Sequence, residues 1–329
     1  MLMPSPEFQS LLELMSAREA FPEDDVHAMR ERMEAFAQPP GPDISIEVVD
    51  AGGIAAEWVV AGGLGAEHGG GAQSRDEPLP RAAVPGVPPI RKDESRDRAV
   101  LYLHGGGYAI CSLDTHRKLA GDISRASGMP LLLIDYRLAP EHPHPAAVDD
   151  ALAAYRWLLD TRHPASRLGL AGDSAGGGLT MATLLAIRDA GLPMPAAAAC
   201  LSPWVDLECA GESVTTRADL DPMVTGGLLK RMADWYLAGG DARAPLASPL
   251  HGDLSGLPPL LVHVGEAEVL HDDSIRLADR ARAAGVDVTL TVYPDMIHVW
   301  HSFAGMVPEA TEAVAQVGAF LRHHIEDRK

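Results

Sequence analysis

Gly172-Asp173-Ser174-Ala175-Gly176 sets a serine between glycines, where the apolar run Leu168 to Ala171 gives way to small helix formers. A hydroxyl in that place has two readings. It can be a small residue in a tight strand-to-helix turn, or a nucleophile raised on the sharp turn of a G-x-S-x-G motif. A serine attacks at neutral pH only with a general base to take its proton, and that base needs an acid to fix its tautomer and stabilise the imidazolium. His298, in the loop after the final strand-like run, is the first candidate base; His301, three residues on, is the fallback and falls where a first helical turn would begin. For the acid, the loop after Pro259 to Val264 offers Glu266, Glu268, Asp272 and Asp273. Glu268 is preferred, because the two aspartates stand where they would cap the helix that follows.

Acyl transfer also needs donors aimed at the developing oxyanion. His104-Gly105-Gly106-Gly107-Tyr108 directly follows an apolar run. Consecutive glycines let backbone amides approach a ligand that side chains would block. The run fits an oxyanion loop, made by Gly105, Gly106 and Gly107, whose amides would act with that of Ala175. Asp173, beside the serine, is read as a hydrogen-bonding support and not as the acid of the triad. Tyr108, Asp173, Trp204, Trp235 and Tyr236 are candidates to bind substrate, with Met223 and Leu228 as further wall residues. Nothing in the motifs asks for a metal or a cofactor.

Such residues converge only if the elements between them hold them at one edge of a sheet. From residue 99 onward strand and helix patterns alternate. Strands are read at 99–103, 131–135, 167–171, 196–201, 259–264 and 286–293, with helices at 146–160, 177–189, 272–284 and 308–326. That rhythm specifies an α/β fold with a mostly parallel sheet covered on both faces. Ahead of it, 7–20 and 24–37 carry helical periodicity, with Asp24 placed to cap the second, and strand-like runs follow at 44–49 and 54–60. The rhythm breaks at 205–250, where a helical pattern begins after Thr225. This segment is expected to form a cap over the carboxyl edge of the sheet, together with amino-terminal helices in 1–43. The catalytic domain then spans 44–329. Residues 62–98, rich in Gly, Pro and Ala without useful periodicity, read as a flexible insertion.

Composition narrows the partners. A balance of 46 acidic against 27 basic residues, formal charge -19, repels phosphate backbones and anionic lipid heads. Nucleic acid and stable membrane association are therefore not expected, and a small-molecule ester substrate is. Cys111, Cys200 and Cys209 cannot all pair with one another, and the amino terminus lacks a basic region and carries Glu7 and Glu13, so the expected location is cytoplasmic.

With these motifs in hand, the chain resembles the hormone-sensitive-lipase-like family of microbial carboxylesterases. The resemblance rests on HGGGY at 104, DYRLAPEHPHPAA at 135–147, GDSAGG at 172, the Glu268 loop and His298, and covers the chain from about Ile44 onward outside 62–98. It implies an α/β-hydrolase fold with a helical cap, hydrolysis of short- to medium-chain acyl esters, and a homodimer. It maps Ser174 to the nucleophile, His298 to the base, and Gly106, Gly107 and Ala175 to the oxyanion donors, with Gly105 supporting the turn. Glu268 stands where Asp is commonest in the family, though some members carry Glu. Arg137 and Glu141, in the YRLAPE segment, are expected to form an ion pair that holds loops. Two other enzymatic readings use the same machinery, on a lactone or on an acetylated natural product. A receptor of the same fold, binding without turnover, is the reading from a different class.

Overall fold

Strands with almost no charged residue end up at the centre of the molecule. The computed structural model describes residues 4–16, 24–62, 97–161 and 163–326. In it β1 (Ile44–Asp50), β2 (Ala55–Ala61), β3 (Ala99–Leu103), β4 (Leu131–Ile134), β5 (Leu168–Asp173), β6 (Ala197–Leu201), β7 (Leu260–Gly265) and β8 (Val288–Tyr293) form one sheet. The strand order is β1-β2-β4-β3-β5-β6-β7-β8. β1 and β2 form an antiparallel hairpin and β2 meets β4 antiparallel, while every other pairing is parallel.

Successive residues of a strand face opposite sides, so an apolar strand needs cover on both. Val100, Tyr102, Leu131, Leu133 and Ala199 enter a core closed by α3 (Leu113–Ser127), α9 (Pro308–Glu326) and Phe8 of α1 (Pro6–Ser16). Their neighbours Leu101, Leu103, Leu132, Ile134 and Cys200 enter a second core with α4 (Ala146–Asp160), α5 (Ala175–Asp189) and α8 (His271–Ala283). The mostly parallel α/β sheet expected from the alternation is the sheet observed, and its fold is the α/β-hydrolase fold that the resemblance implies. No helix among the described residues is long and apolar enough to cross a membrane.

Three further helices lie outside this sandwich: α2 (Val26–Ala35), the short α6 (Ser213–Thr216), and α7 (Gly226–Leu237), whose N-cap Thr225 accepts a hydrogen bond from Leu228 N. Arg30 of α2 donates to Ala109 O and Ala139 O, just beyond the glycine run, and pairs with Glu141 at 2.7 Å. Arg231 of α7 reaches Asp24, at the start of α2.

Several local expectations are corrected. The N-cap of α2 is Asp25, which accepts from His27 N and Ala28 N; Asp24 stands one residue too early. Arg137 does not pair with Glu141. It grips buried Asp150 with contacts of 2.6 to 3.0 Å, and Glu141 belongs to Arg30. Residues 135–145 are not helical, so a spacing of four does not bring the two side chains together. The helix after Ser174 starts at Ala175 and not at 177, taking in Gly176, which propensity disfavours in a helix. Tertiary approach overrides propensity here, since a Cβ on Gly176 would collide with Leu103 O and His104 O. The first helix ends its described part at Ser16, and 17–20 lie outside the described residues, as does the 62–98 insertion except for Gly62, Asp97 and Arg98.

Candidate active site

Ser174 sits at the junction of β5 and α5, both buried, with φ 53° and ψ -122°. That is a strained region for a residue with a side chain. Surrounding bonds over-determine it: Ser174 N donates to Leu201 O at 2.8 Å, and Ser174 O accepts from Gly178 N and Trp204 N. Gly172 and Gly176 let the turn close, because a Cβ on Gly172 would meet Gly176 O and Leu103 O. The hydroxyl is thereby lifted above the carboxyl end of the sheet.

His298 comes from the loop after β8. Its Nε2 lies 2.9 Å from Ser174 Oγ and its Nδ1 3.2 Å from Glu268 Oε2. Glu268 follows β7 and is fully buried, while His298 is buried up to its contact with the serine. An ionised carboxylate can only accept, so Nδ1 carries the proton facing Glu268 and Nε2 is left to accept from the serine hydroxyl. Burial works against the imidazolium of His298, but the hydrogen bond and charge of Glu268 outweigh it and lift the imidazole above its ordinary value. Burial pushes the Glu268 carboxyl up, against the opposing hydrogen bond and charge of His298. Val299 N donates to Ser202 Oγ at 3.2 Å, which pins the loop beside the imidazole.

The alternatives for acid and base are occupied elsewhere. Asp272 accepts from Ser213 N, and Asp273 accepts from Val205 N and Asp206 N and pairs with Arg276 at 2.8 Å. Neither caps α8: its N-cap position is Leu270, with no side-chain cap. Both aspartates instead tie the 205–213 loop to the helix, and burial pushes the Asp273 carboxyl up to about 7. His301 lies in a short 3₁₀ turn at Trp300–Phe303, fully buried, with Nε2 3.3 Å from His263 Nδ1. Glu266 is half-buried, and its backbone oxygen accepts from Arg217.

Below the serine, the Asp173 carboxylate supports the glycine loop. It accepts from Tyr102 OH at 2.8 Å and from Gly105 N at 3.2 Å, with His116 Nε2 3.3 Å away. Burial opposes its ionisation, yet the charge and hydrogen bond of His116 and the Tyr102 hydroxyl hold it below the ordinary carboxylate range. Gly105 therefore has its amide committed to this support. The amides of Gly106, Gly107 and Ala175 make no hydrogen bond among the described residues and remain available. His104 is buried and stacked on Tyr136, with ring centroids 4.2 Å apart, and Tyr136 OH donates to His104 O. Burial and the charge of neighbouring His116 push this imidazole down to about 3, so it is neutral framework.

Of the wall candidates, Tyr108, Trp204 and Tyr236 are buried and Trp235 is half-buried. Tyr108 and Tyr236 stack face to face at 3.8 Å, and Tyr108 lies against Trp204 at 6.1 Å. Leu228 is buried and Met223 exposed. Met232 of α7 lies against the glycine loop, its side chain occupying the space a Cβ on Gly107 would need. The sequence reading passed over it, and only the helical register of α7, one turn before Tyr236, could have suggested it.

Among the described residues, ligand-type atoms of Asp206, Glu208 and His251 lie within 4.8 Å of one another. Arg276 already holds Asp206 at 2.8 Å and Arg243 holds Glu208 at 3.0 Å, so their charge is matched without an ion.

A family model described as an alpha/beta hydrolase fold matches residues 100–302. An acetyl-hydrolase of Streptomyces hygroscopicus is 53% identical over 236 residues, 72% of this chain and 78% of that protein. A crystal structure of EstE5 soaked with p-nitrophenyl butyrate superposes with a TM-score of 0.86 at 47% identity, covering 98% of this chain and 99% of the other. An esterase from the bacterial hormone-sensitive lipase family gives 0.84 at 44% identity, covering 98% and 100%.

Proposed function

This chain belongs to the α/β-hydrolase family, among the bacterial hormone-sensitive-lipase esterases, and is a carboxylic ester hydrolase; on that premise we propose that Ser174, His298 and Glu268 carry the reaction through an acyl-enzyme. Ser174 Oγ attacks the ester carbonyl while its proton passes to His298 Nε2. The negative charge that gathers on the carbonyl oxygen is met by the amides of Gly106, Gly107 and Ala175. Collapse breaks the bond to the alkoxide, which takes the proton from His298 and leaves as alcohol. Water then attacks the acyl-serine, giving its proton to the same nitrogen, and the serine recovers it as the carboxylic acid departs. Glu268 keeps Nδ1 protonated throughout and balances the imidazolium.

The observation that supports this reading is the unbroken chain Ser174 Oγ, His298 and Glu268, at 2.9 and 3.2 Å, ending beside three unused amides. Residues 1–43 and 205–250 act as the cap in this reading, supported by Arg30 on Ala109 O and by Met232 against Gly107. A cytoplasmic location is supported by the free thiols of Cys111, Cys200 and Cys209. The testing experiment is hydrolysis of p-nitrophenyl esters from acetate to palmitate, with kcat/KM expected to be greatest among the short chains. Acetyl esters as the favoured class draw further support from the name of the Streptomyces relative. A maximum at palmitate overturns the short-chain reading.

The base sets the pH dependence. His298 must be neutral to accept the serine proton, and its folded-state value is raised. Activity is therefore present above that value and is lost as pH falls through it. The acid limb of kcat/KM is expected above the ordinary imidazole value of about 6.5. A limb centred below that value contradicts the assignment.

A further inference from the structure

The loop that carries Glu268 is held from outside the sheet, by α6 and the segment that joins it to α7. Ser213 Oγ donates to Val269 O at 2.7 Å, and Arg217 donates to Glu266 O. The third contact differs in kind, because it comes from a carboxylate. Asp221 is only 6% exposed, and its Oδ2 accepts from Val269 N, the amide directly after Glu268, at 3.1 Å. Its Oδ1 accepts from Met223 N at 2.9 Å and Val224 N at 3.1 Å. Three backbone amides satisfy this group, and among the described residues no Lys, Arg or His forms an ion pair with it.

Hydrogen bonds from backbone N–H groups favour the charged form of a buried carboxylate. We infer that Asp221 is a positioning residue of the hydrolytic site, bracing the Glu268 loop through Val269 N–H and setting a second fixed negative charge toward the imidazolium that His298 becomes during turnover. The inference rests on the reading of Ser174, His298 and Glu268 given above. The other ionisable groups around the imidazole are Glu268, hydrogen-bonded to it, Asp173 beside the nucleophile, and buried His301. Arg217 and Asp272 flank the loop on the Asp221 side. The charge of Asp221 is among the influences that raise both His298 and Glu268. An environment that favours imidazolium favours the transition state in which the proton has moved onto His298.

The test is Asp221→Asn, whose side chain has similar size but no charge and a single acceptor oxygen for three amides. With p-nitrophenyl acetate, the variant is expected to lose about tenfold in plateau kcat with KM held within about twofold. Its acid limb is expected to move to lower pH by about half a unit, because the imidazolium has lost a favourable charge. A merely structural role lowers the folded fraction and leaves the limb in place. Should Asp221→Asn not fold, Asp221→Ser, which keeps a hydroxyl acceptor for Met223 N, is measured in the same way. Ser174→Ala is assayed alongside. An inactive Ser174→Ala enzyme together with an unmoved acid limb overturns the role of Asp221 alone, whereas an active Ser174→Ala enzyme overturns the triad reading beneath it.

Discussion

Ser174→Ala is expected to lower kcat by about 10⁴-fold or more on every ester of the acetate-to-palmitate series, with KM changed little. The substitution removes one oxygen and with it the bond that would form to substrate. The remaining machinery, three amides and a general base, can then only assist water. The fold is expected to hold, since the elbow is fixed by backbone bonds that alanine keeps: Ser174 N to Leu201 O, and Gly178 N and Trp204 N to Ser174 O. Thermal unfolding should therefore stay within a few degrees of wild type, which separates loss of chemistry from loss of structure. A Ser174→Ala protein that retains a tenth of wild-type kcat would place the nucleophile elsewhere.

The second large effect distinguishes two histidines three residues apart. His298→Ala is expected to cost about 10⁴-fold in kcat, because the serine then has no partner for its proton. His301→Ala is expected to keep kcat within about threefold for the folded molecules, since its Nε2 is engaged with His263 Nδ1 and the serine hydroxyl is held by His298. Its cost falls on stability. The His301 ring is fully buried, tilted against Trp300 with centroids 4.0 Å apart and stacked on His263 at 5.5 Å. Removing a side chain of that size from a packed core costs about 3 kcal/mol, readable as a lower urea midpoint. Burial first, then the charges of His263 and His298, hold its imidazole well below the ordinary value, so it stays neutral where enzymes work. Equal loss of turnover in the two variants, at equal folded fraction, would remove the basis for choosing His298.

The site was legible in the sequence to the extent that its chemistry depends on local geometry. A glycine-flanked serine and a glycine run after a strand are defined within five residues each, and the sheet topology follows from apolar runs that need cover on both faces. Glu268 is preferred in the sequence because Asp272 and Asp273 are expected to cap the following helix; both lie inside α8, which begins at His271, and neither caps it. Contacts set by the tertiary fold left no such trace. Glu141 found Arg30 because α2, 111 residues earlier, is brought beside it, and Arg137 found Asp150 in α4, 13 residues on, where no helical spacing links the two. Asp221 behind Glu268 belongs to the same class, and Met232 over Gly107 could be suggested only by the helical register it shares with Tyr236. The start of α5 at Ala175, two residues before the expected 177, follows from the close approach of Gly176 to the Leu103 and His104 carbonyls, which is invisible along the chain.

The Arg30 contacts also bear on the order in which the molecule can be assembled on the ribosome. Arg30 is made 79 residues before Ala109, whose carbonyl it grips, and 111 before Glu141. At ordinary translation rates the nascent α2 waits about 4 to 16 s for Ala109 to be added. During that interval its buried face, Val26 and Met29, has no core to join. Helix α2 is thus synthesised well before the core it packs on and is among the later parts to dock, an interval in which a holdase chaperone can engage it.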